Sequence, residues 1–484
     1  MFDQLANEMF LVLPLLCLAV GALVVMMLDV FSGSATLKGV VTAVVLGASI
    51  WMLCLVPSYP EKVILGGLVF GGSYTYFTAL VLCLSAFLTV LLALNKQKKE
   101  GPKREGEYYT LLLMAVAGGY IFISAAELIT LFIGLEILSL ALYALCASEL
   151  TNRSSVQAGV KYFMLGSFAS VILLYGMALL YGASGSTEII KIADVAGNSS
   201  GIFLSGAALL FCGMLFKIGL VPFHFWVPDV YHGAPTAVSA FMASGVKAAA
   251  VAVMLRILWV LFGSYAELWM DLVWWVAALS ILLGNFVALS QRGLKSLLAY
   301  SSIAHAGYIA MGILARSEIG GGGEAALYYL LIYSFMTLGA FGVVLVLSAA
   351  YADKRTPDDI TRFNGLATTH PWTAALMTFF MLALAGMPPA MGGFMAKFFV
   401  FTAAIKSGHV GIVLIACLGA LVGAYYYLRV VVAMYFAPSA KEPRRLERDP
   451  SAYAVLALCA AAILVLGVFP QVVYVRAALA VSGM

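Results

Sequence analysis

Polar and apolar positions in this chain neither alternate nor form the one-sided stripes of a water-soluble helix. The apolar residues come in long runs, many reaching the ~20 residues a helix needs to cross a ~30 Å hydrocarbon core. Such runs stand near 9–29, 38–57, 74–94, 108–126, 129–149, 160–182, 202–222, 235–261, 271–290, 296–314, 325–349, 371–404, 409–434 and 453–474. Only helices and closed barrels satisfy their own backbone hydrogen bonds inside a bilayer, and runs of this length exclude a barrel. The pattern predicts an all-α polytopic membrane protein with about fourteen transmembrane helices.

Composition narrows the picture. Hydrophobic residues make up 63% of the chain and charged ones 10%, with a mean hydropathy of +1.02, whereas a soluble domain carries about 25% charged residues. No hydrophilic stretch is long enough to fold alone. The first run is flanked by Asp3 and Glu8 and has no convincing small-residue cleavage site, which predicts a retained helix, not a signal peptide. The seven cysteines lie singly inside apolar runs, so no metal or iron–sulfur centre is expected.

Loop charge gives an orientation. Lys38, Lys96, Lys98, Lys99, Lys103, Arg104, Arg153, Lys161, Arg292, Lys295, Lys354, Arg355, Arg362, Lys441, Arg444, Arg445 and Arg448 fall on one side. Lys62, Lys191, Arg316, Lys406 and Arg476 are all that the other side has. Both termini are therefore expected outside the cytoplasm. Positive-inside bias explains the basic loops without a nucleic-acid partner.

The spacing also suggests a repeat. Tyr162-Phe163 recurs as Tyr328-Tyr329, and Pro222 as Pro388, at an offset of roughly 166 residues. Each proline lies in a Gly/Pro-interrupted run, Lys217-Ile-Gly-Leu-Val-Pro-Phe-His224 and Ala385-Gly-Met-Pro-Pro-Ala-Met-Gly-Gly393. Proline removes a backbone donor and clashes with the preceding turn, so both helices should break there. Spans four to eight and nine to thirteen then form two five-helix units, and an odd number of crossings inverts the second. The expected organisation is an N-terminal three-helix segment (1–107), a first repeat (108–261), an inverted second repeat (271–434), and a C-terminal loop with the last helix (435–484). Paired broken helices in inverted repeats mark ion paths in transporters.

Five cations fall inside spans: Lys217, Lys247, Arg256, Lys397 and Arg429. A charge at mid-bilayer costs at least ~2.5–3.5 kcal/mol on insertion scales, so each needs a reason. Arg256 and Arg429 lie nearer helix ends, where a long side chain can snorkel to water in a structural role. Lys217, Lys247 and Lys397 have no such route. Glu136 is the only acid near the middle of a span, which suggests a buried pair with Lys217. Burial opposes the charged forms and a partner favours them, so such a lysine can exchange its proton when a neighbouring charge moves. A static ion pair that fixes packing is the alternative. His305, about one turn from the repeat-equivalent of Glu136, is either a proton-wire element, donating at one nitrogen and accepting at the other, or a satisfied core histidine. His224 and His232 are expected near an interface, lining an entry path.

These residues carry a resemblance. Lys217-Ile-Gly-Leu-Val-Pro-Phe-His-Phe-Trp-Val-Pro-Asp229, continuing as Val230-Tyr-His-Gly-Ala-Pro-Thr-Ala-Val-Ser-Ala-Phe241 to Lys247, resembles the signature of the antiporter-like subunits of respiratory complex I, the proton-pumping NADH:quinone oxidoreductase. The Asp-Val-Tyr-x-Gly-Ala-Pro-Thr form and the chain length look like the subunit N branch. Gly386-Met-Pro-Pro-x-x-Gly-Gly-Phe-x-x-Lys397 and Tyr300-Ser-Ser-Ile-Ala-His-Ala-Gly-Tyr308 are similar to that family too.

The resemblance implies an antiporter-like fold and a coupled pair, Glu136 and Lys217, in a first half-channel. It also implies that Lys247 is the connecting lysine and Lys397 the terminal one. It further implies that this chain holds no cofactor, that FMN and iron–sulfur clusters lie in other subunits, and that quinone is reduced away from it. Its partners would be the other membrane-arm subunits and the lipid bilayer, most simply that of a bacterial inner membrane with both termini periplasmic. The alternative is a subunit of a multisubunit cation/proton antiporter sharing the fold.

Overall fold

The computed structural model describes residues 2–31, 34–56, 60–100, 105–195, 201–316, 321–348, 358–438 and 449–484. Of the basic loop residues, Lys103, Arg104, Lys354, Arg355, Lys441, Arg444, Arg445 and Arg448 lie outside these segments. The helices in chain order are α1 (Phe2–Phe31), α2 (Ala35–Leu55), α3 (Ser73–Glu100), α4 (Glu105–Ser124), α5 (Leu128–Cys146), α6 (Arg153–Ser184) and the short α7 (Ile189–Val195). They continue as α8 (Gly201–Ile218), α9 (Trp226–Gly233), α10 (Thr236–Phe241), α11 (Lys247–Arg256), α12 (Ala266–Ser290), α13 (Leu294–Leu314) and α14 (Gly322–Ser348). The last are α15 (Leu366–Thr369), α16 (Pro371–Ala385), α17 (Met391–Lys406), α18 (Val410–Phe436), α19 (Pro450–Val468) and α20 (Gln471–Ser482).

Thirteen helical segments among the described residues are long and apolar enough to span a bilayer. The fourteenth expected span is the pair α16 and α17, whose 15 and 16 residues are each too short to cross alone. The protein is a polytopic helical membrane protein. Its outward side chains are apolar, as Trp51, Phe168, Leu421 and Trp275 illustrate, because hydrocarbon and not water is their solvent.

Three differences from the sequence expectation have local causes. The run at 453–474 is two helices, because Pro470 disfavours a helical residue at Phe469 and α19 ends there. The sixth span is longer than 160–182, starting at Arg153 behind an Asn152 cap. A small antiparallel hairpin pairs Lys62–Ile64 with Val69–Gly71, a feature too short to leave a periodicity.

Packing places the polar chemistry in a buried centre. The rod from Thr236 to Leu261, which contains α10 and α11, is buried along its length, as are α13 and α14. Between α10 and α11 the rod widens into a π-helical turn at Met242–Val246, directly before Lys247. Such turns insert a residue into an α-helix and often mark functional sites. The outer helices pack through small residues, which let backbones approach closely without a hydrophobic drive between them. A side chain on Gly118 of α4 would strike the Leu138 amide of α5 at 2.5 Å, and one on Gly284 of α12 would strike the Ala304 amide of α13 at 2.6 Å.

The two breaks share one construction. The α8 helix ends at Ile218 and α16 at Ala385, each followed by a left-handed glycine, Gly219 with φ of 79° and Gly386 with φ of 80°. A cis X-Pro bond lies just beyond, at Val221–Pro222 and Pro388–Pro389.

Candidate functional site

Lys217 occupies the last turn of α8 and is 7% exposed. Its Nζ donates to Ser139 Oγ of α5 at 2.8 Å and stands 6.0 Å from the centre of the Tyr162 ring. Glu136 lies three residues before Ser139 on the same helix, half-buried, and accepts a hydrogen bond from Ser170 of α6. The two charges therefore do not form the direct pair expected from the sequence. One helical turn separates their anchors, and Ser139 takes the position nearest the ammonium. Lys217 lines a narrow cleft with Ser139, Tyr143, Tyr162 and Ser170, the last of which is the hydrogen-bond partner of Glu136.

Lys247, 2% exposed, follows the π-helical turn. Its Nζ donates to the Ser302 carbonyl at 2.7 Å and to the hydroxyl of the same residue. Lys397, 8% exposed, sits in α17 but reaches back over the break. Its Nζ donates to the carbonyls of Leu384 at 3.1 Å and Ala385 at 2.8 Å, the last two of α16. Those carbonyls have no intrahelical partner and carry the negative end of the helix dipole, so the break itself supplies the lysine's acceptors. The Tyr308 ring lies 5.2 Å from the same ammonium. Among the described residues none of the three lysines is within 4.0 Å of a carboxylate.

His305 of α13 is fully buried, within electrostatic reach of both Lys247 and Lys397. Its Nδ1 meets Tyr329 Oη at 2.8 Å and its Nε2 meets Tyr427 Oη at 3.2 Å, while Tyr333 stacks on the ring with centroids 4.9 Å apart. Sequence reasoning missed the hydroxyls around it. Ser301 and Ser302 stand in the same motif as His305, and Tyr426-Tyr427 is an adjacent pair inside an apolar run, but inter-helix register decides what they touch.

The remaining cations have structural partners. Arg256 does not snorkel: it is 3% exposed and bonds Glu61 at 3.0 Å, Thr75 at 2.9 Å and the Ile123 carbonyl at 2.6 Å. Glu61, just ahead of the hairpin that precedes α3, also accepts from the Thr75 amide and hydroxyl, so both ions are satisfied. Arg429 caps the end of α12 through the carbonyls of Leu289 at 2.7 Å and Gln291 at 2.6 Å. Among the described residues two of the basic loop residues are buried: Lys38 pairs with Asp29, and Lys295 donates to the Ala234 carbonyl at 2.7 Å.

At the membrane surface, Asp358 accepts the Lys295 amide at 3.1 Å and lies 3.5 Å from His232 Nδ1. Burial works to raise its carboxyl, but His232 and Lys295 outweigh it and hold the group below the usual aspartate range. His224 lies in the first break against Phe225. No cluster of three His, Cys, Asp or Glu side chains fit to hold a metal occurs among the described residues.

Comparison with known proteins matches this geometry to one family. The family described as NADH:quinone oxidoreductase/Mrp antiporter, TM covers residues 125–423. The NADH-quinone oxidoreductase subunit N of Myxococcus xanthus is 39% identical over 95% of this chain and 94% of its own length. A chain of respiratory complex I from Thermus thermophilus superposes with a TM-score of 0.80 at 32% identity, covering 95% of this chain and 98% of that one. A chain of the Mrp complex from Dietzia superposes with a TM-score of 0.86 at 20% identity, over 98% and 97% of the two chains, and shares the fold. The chain belongs to the family of NADH-quinone oxidoreductase subunit N.

Proposed function

We propose that protons moved by this subunit pass along Glu136, Lys217, Lys247 and Lys397, with His305 between the last two. The chain is a proton-translocating membrane-arm subunit of an NADH:quinone oxidoreductase. The observation that carries the relay is that all three lysines are buried, yet each is held by neutral oxygens and not by a carboxylate. Hydroxyls and carbonyls satisfy the donors of an ammonium without cancelling its charge, so its proton stays sensitive to charges that change nearby. A lysine locked in a tight ion pair would lack that sensitivity.

The relay fits two inverted five-helix repeats, 108–261 and 271–434. Gly118 and Gly284 make the same close approach between paired helices, and Gly219 and Gly386 open the two breaks. Electrons run elsewhere in this reading: FMN, iron–sulfur clusters and quinone belong to other subunits. Other membrane-arm subunits and lipid are the partners, in a bacterial inner membrane with both termini periplasmic. Single-cysteine labelling from each side at the two termini would overturn the orientation if only cytoplasmic reagent reacted.

The decisive measurement is the proton-to-electron ratio of the assembled complex with Lys217→Ala, Lys247→Ala and Lys397→Ala. The relay predicts that NADH oxidation outlasts pumping in each, and wild-type ratios in all three sink it. A cation/proton antiporter role is the second reading, favoured by the fold shared with the Mrp complex. It predicts sodium transport driven by an imposed proton gradient in the absence of NADH.

A further inference from the structure

The proposed relay leaves a gap between Lys247 and Lys397 that His305 alone does not span. The hydroxyls around the histidine form a continuous run. Ser301 Oγ contacts Tyr427 Oη, Tyr427 Oη lies 3.2 Å from His305 Nε2, and His305 Nδ1 lies 2.8 Å from Tyr329 Oη. Four groups from α13, α14 and α18 thus touch in series, all at 1% exposure or less. One end starts at the residue next to Ser302, the anchor of Lys247. Beyond the histidine, Tyr308 packs edge-on against its ring and carries the Lys397 ammonium over its own face.

We propose that Tyr427 is a proton-relay residue, the hydroxyl that joins Ser301 to His305 in a wire of Ser301, Tyr427, His305 and Tyr329. The inference rests on the relay reading above and adds a hydrogen-bonded run in the region that separates its central and terminal lysines. Each internal member can release one proton while taking one. A neutral imidazole accepts at one nitrogen and donates at the other, and a phenol hydroxyl both accepts and donates.

In one polarity Tyr329 donates to Nδ1, Nε2–H donates to Tyr427, and Tyr427 donates to Ser301. A proton shift along it breaks one O–H or N–H bond at each member and forms another at the next. One proton enters at Tyr329 and one leaves at Ser301, with no net charge left on the histidine or on Tyr427. Opposite polarity carries a proton the other way by the same count. No oxidant or co-reactant is involved.

Tyr427 is held for this task. Its ring lies against Tyr426 with centroids 4.4 Å apart, and Tyr426 donates to Asn285 Oδ1 at 3.1 Å. Asn285 in turn donates to Tyr308 Oη at 3.1 Å, which ties the tyrosine pair to the ring beneath Lys397.

The test uses the whole complex in sealed membrane vesicles, reading NADH oxidation and proton uptake together. Tyr427→Phe keeps the ring and deletes the hydroxyl, and is expected to retain electron transfer while its proton-to-electron ratio falls to that of Lys247→Met. Tyr328→Phe is the control: this tyrosine is as buried, but its hydroxyl donates to the Leu466 carbonyl at 2.8 Å, and its ratio should not change. If Lys247→Met lowers the ratio and Tyr427→Phe does not, the wire is wrong and the relay reading stands. If neither lowers it, the wire falls together with the Lys247 step of the relay. Should Tyr427→Phe fail to assemble, Ser301→Ala decides: a lowered ratio supports the wire and a wild-type ratio overturns it.

Discussion

The two broken helices are built alike and used differently. At the first, the Leu215 and Phe216 carbonyls in the last turn of α8 are taken by protein donors other than the lysine. Gly219 and Leu220 amides bond Leu215 at 2.9 and 3.0 Å, and the Trp226 indole bonds Phe216 at 2.9 Å. Lys217 is left to reach across to another helix. At the second, amides of Gly386 and Met387 take Leu382, while the last two carbonyls of α16 are taken by Lys397 itself. The same backbone device thus gives a lysine near a break in one half and a lysine that completes the break in the other. Burying a charge and ending a helix are separate problems at the first site and a single one at the second.

Replacing the lysines should break that comparison most visibly. Lys397→Met leaves two buried carbonyls without a donor, at ~1–3 kcal/mol each. It should lose pumping and also lower the thermal midpoint of the assembled complex by several degrees. Lys217→Met removes only a bond to a hydroxyl, so pumping should fall with a midpoint shift of less than about 2 °C. Equal midpoint shifts in a thermal-shift assay would refute the distinction.

The glycines sharpen it. Gly219→Ala and Gly386→Ala both force an L side chain into the left-handed region, costing roughly 1–2 kcal/mol. At Gly219 the new methyl meets Val227 at 2.5 Å, whereas at Gly386 it meets the Lys397 side chain at 3.0 Å. Proton-to-electron ratios should therefore drop for Gly386→Ala and hold for Gly219→Ala.

Trp226→Phe probes the first cap alone. It deletes the bond to the Phe216 carbonyl, should cost about 1 kcal/mol in stability, and should leave the ratio at wild type. A lost ratio would mean that the cap also positions Lys217.

The smallest effect lies outside the membrane, where Asp358 and Lys295 hold the segment after α9. Asp358 has a folded-state carboxyl below its ordinary range, so its stabilisation is full above the unfolded value and is lost as pH falls through the folded one. Thermal midpoints measured from neutral to acidic pH should decline with a component that Asp358→Asn lacks. Parallel curves for the two proteins would remove Asp358 from the account.

Much of this was legible in the chain. Run length alone gave the spans, because a bilayer sets the length that a helix must have, and Gly/Pro clusters gave both breaks, because those residues act on the local backbone. Partners across helices were not legible. Glu136 and Ser139 are one turn apart, and nothing in the sequence says which of them faces Lys217. Arg256, Lys38 and Lys295 stand near span ends or in loops by position alone, and nothing local shows that Glu61, Asp29 and the Ala234 carbonyl fold onto them. Tyr427 reads as another aromatic in an apolar run until α18 is set against α13.

The π-helical turn before Lys247 has its own consequence. Each residue in an α-helix adds about 100° of rotation and 1.5 Å of rise. The extra residue held at Met242–Val246 therefore decides which compass direction the central lysine faces. Deleting one residue there would swing the ammonium away from Ser302 without altering any side chain on the path. The count of residues between Pro235 and Lys247 is in this sense a functional quantity, as tightly specified as the lysine.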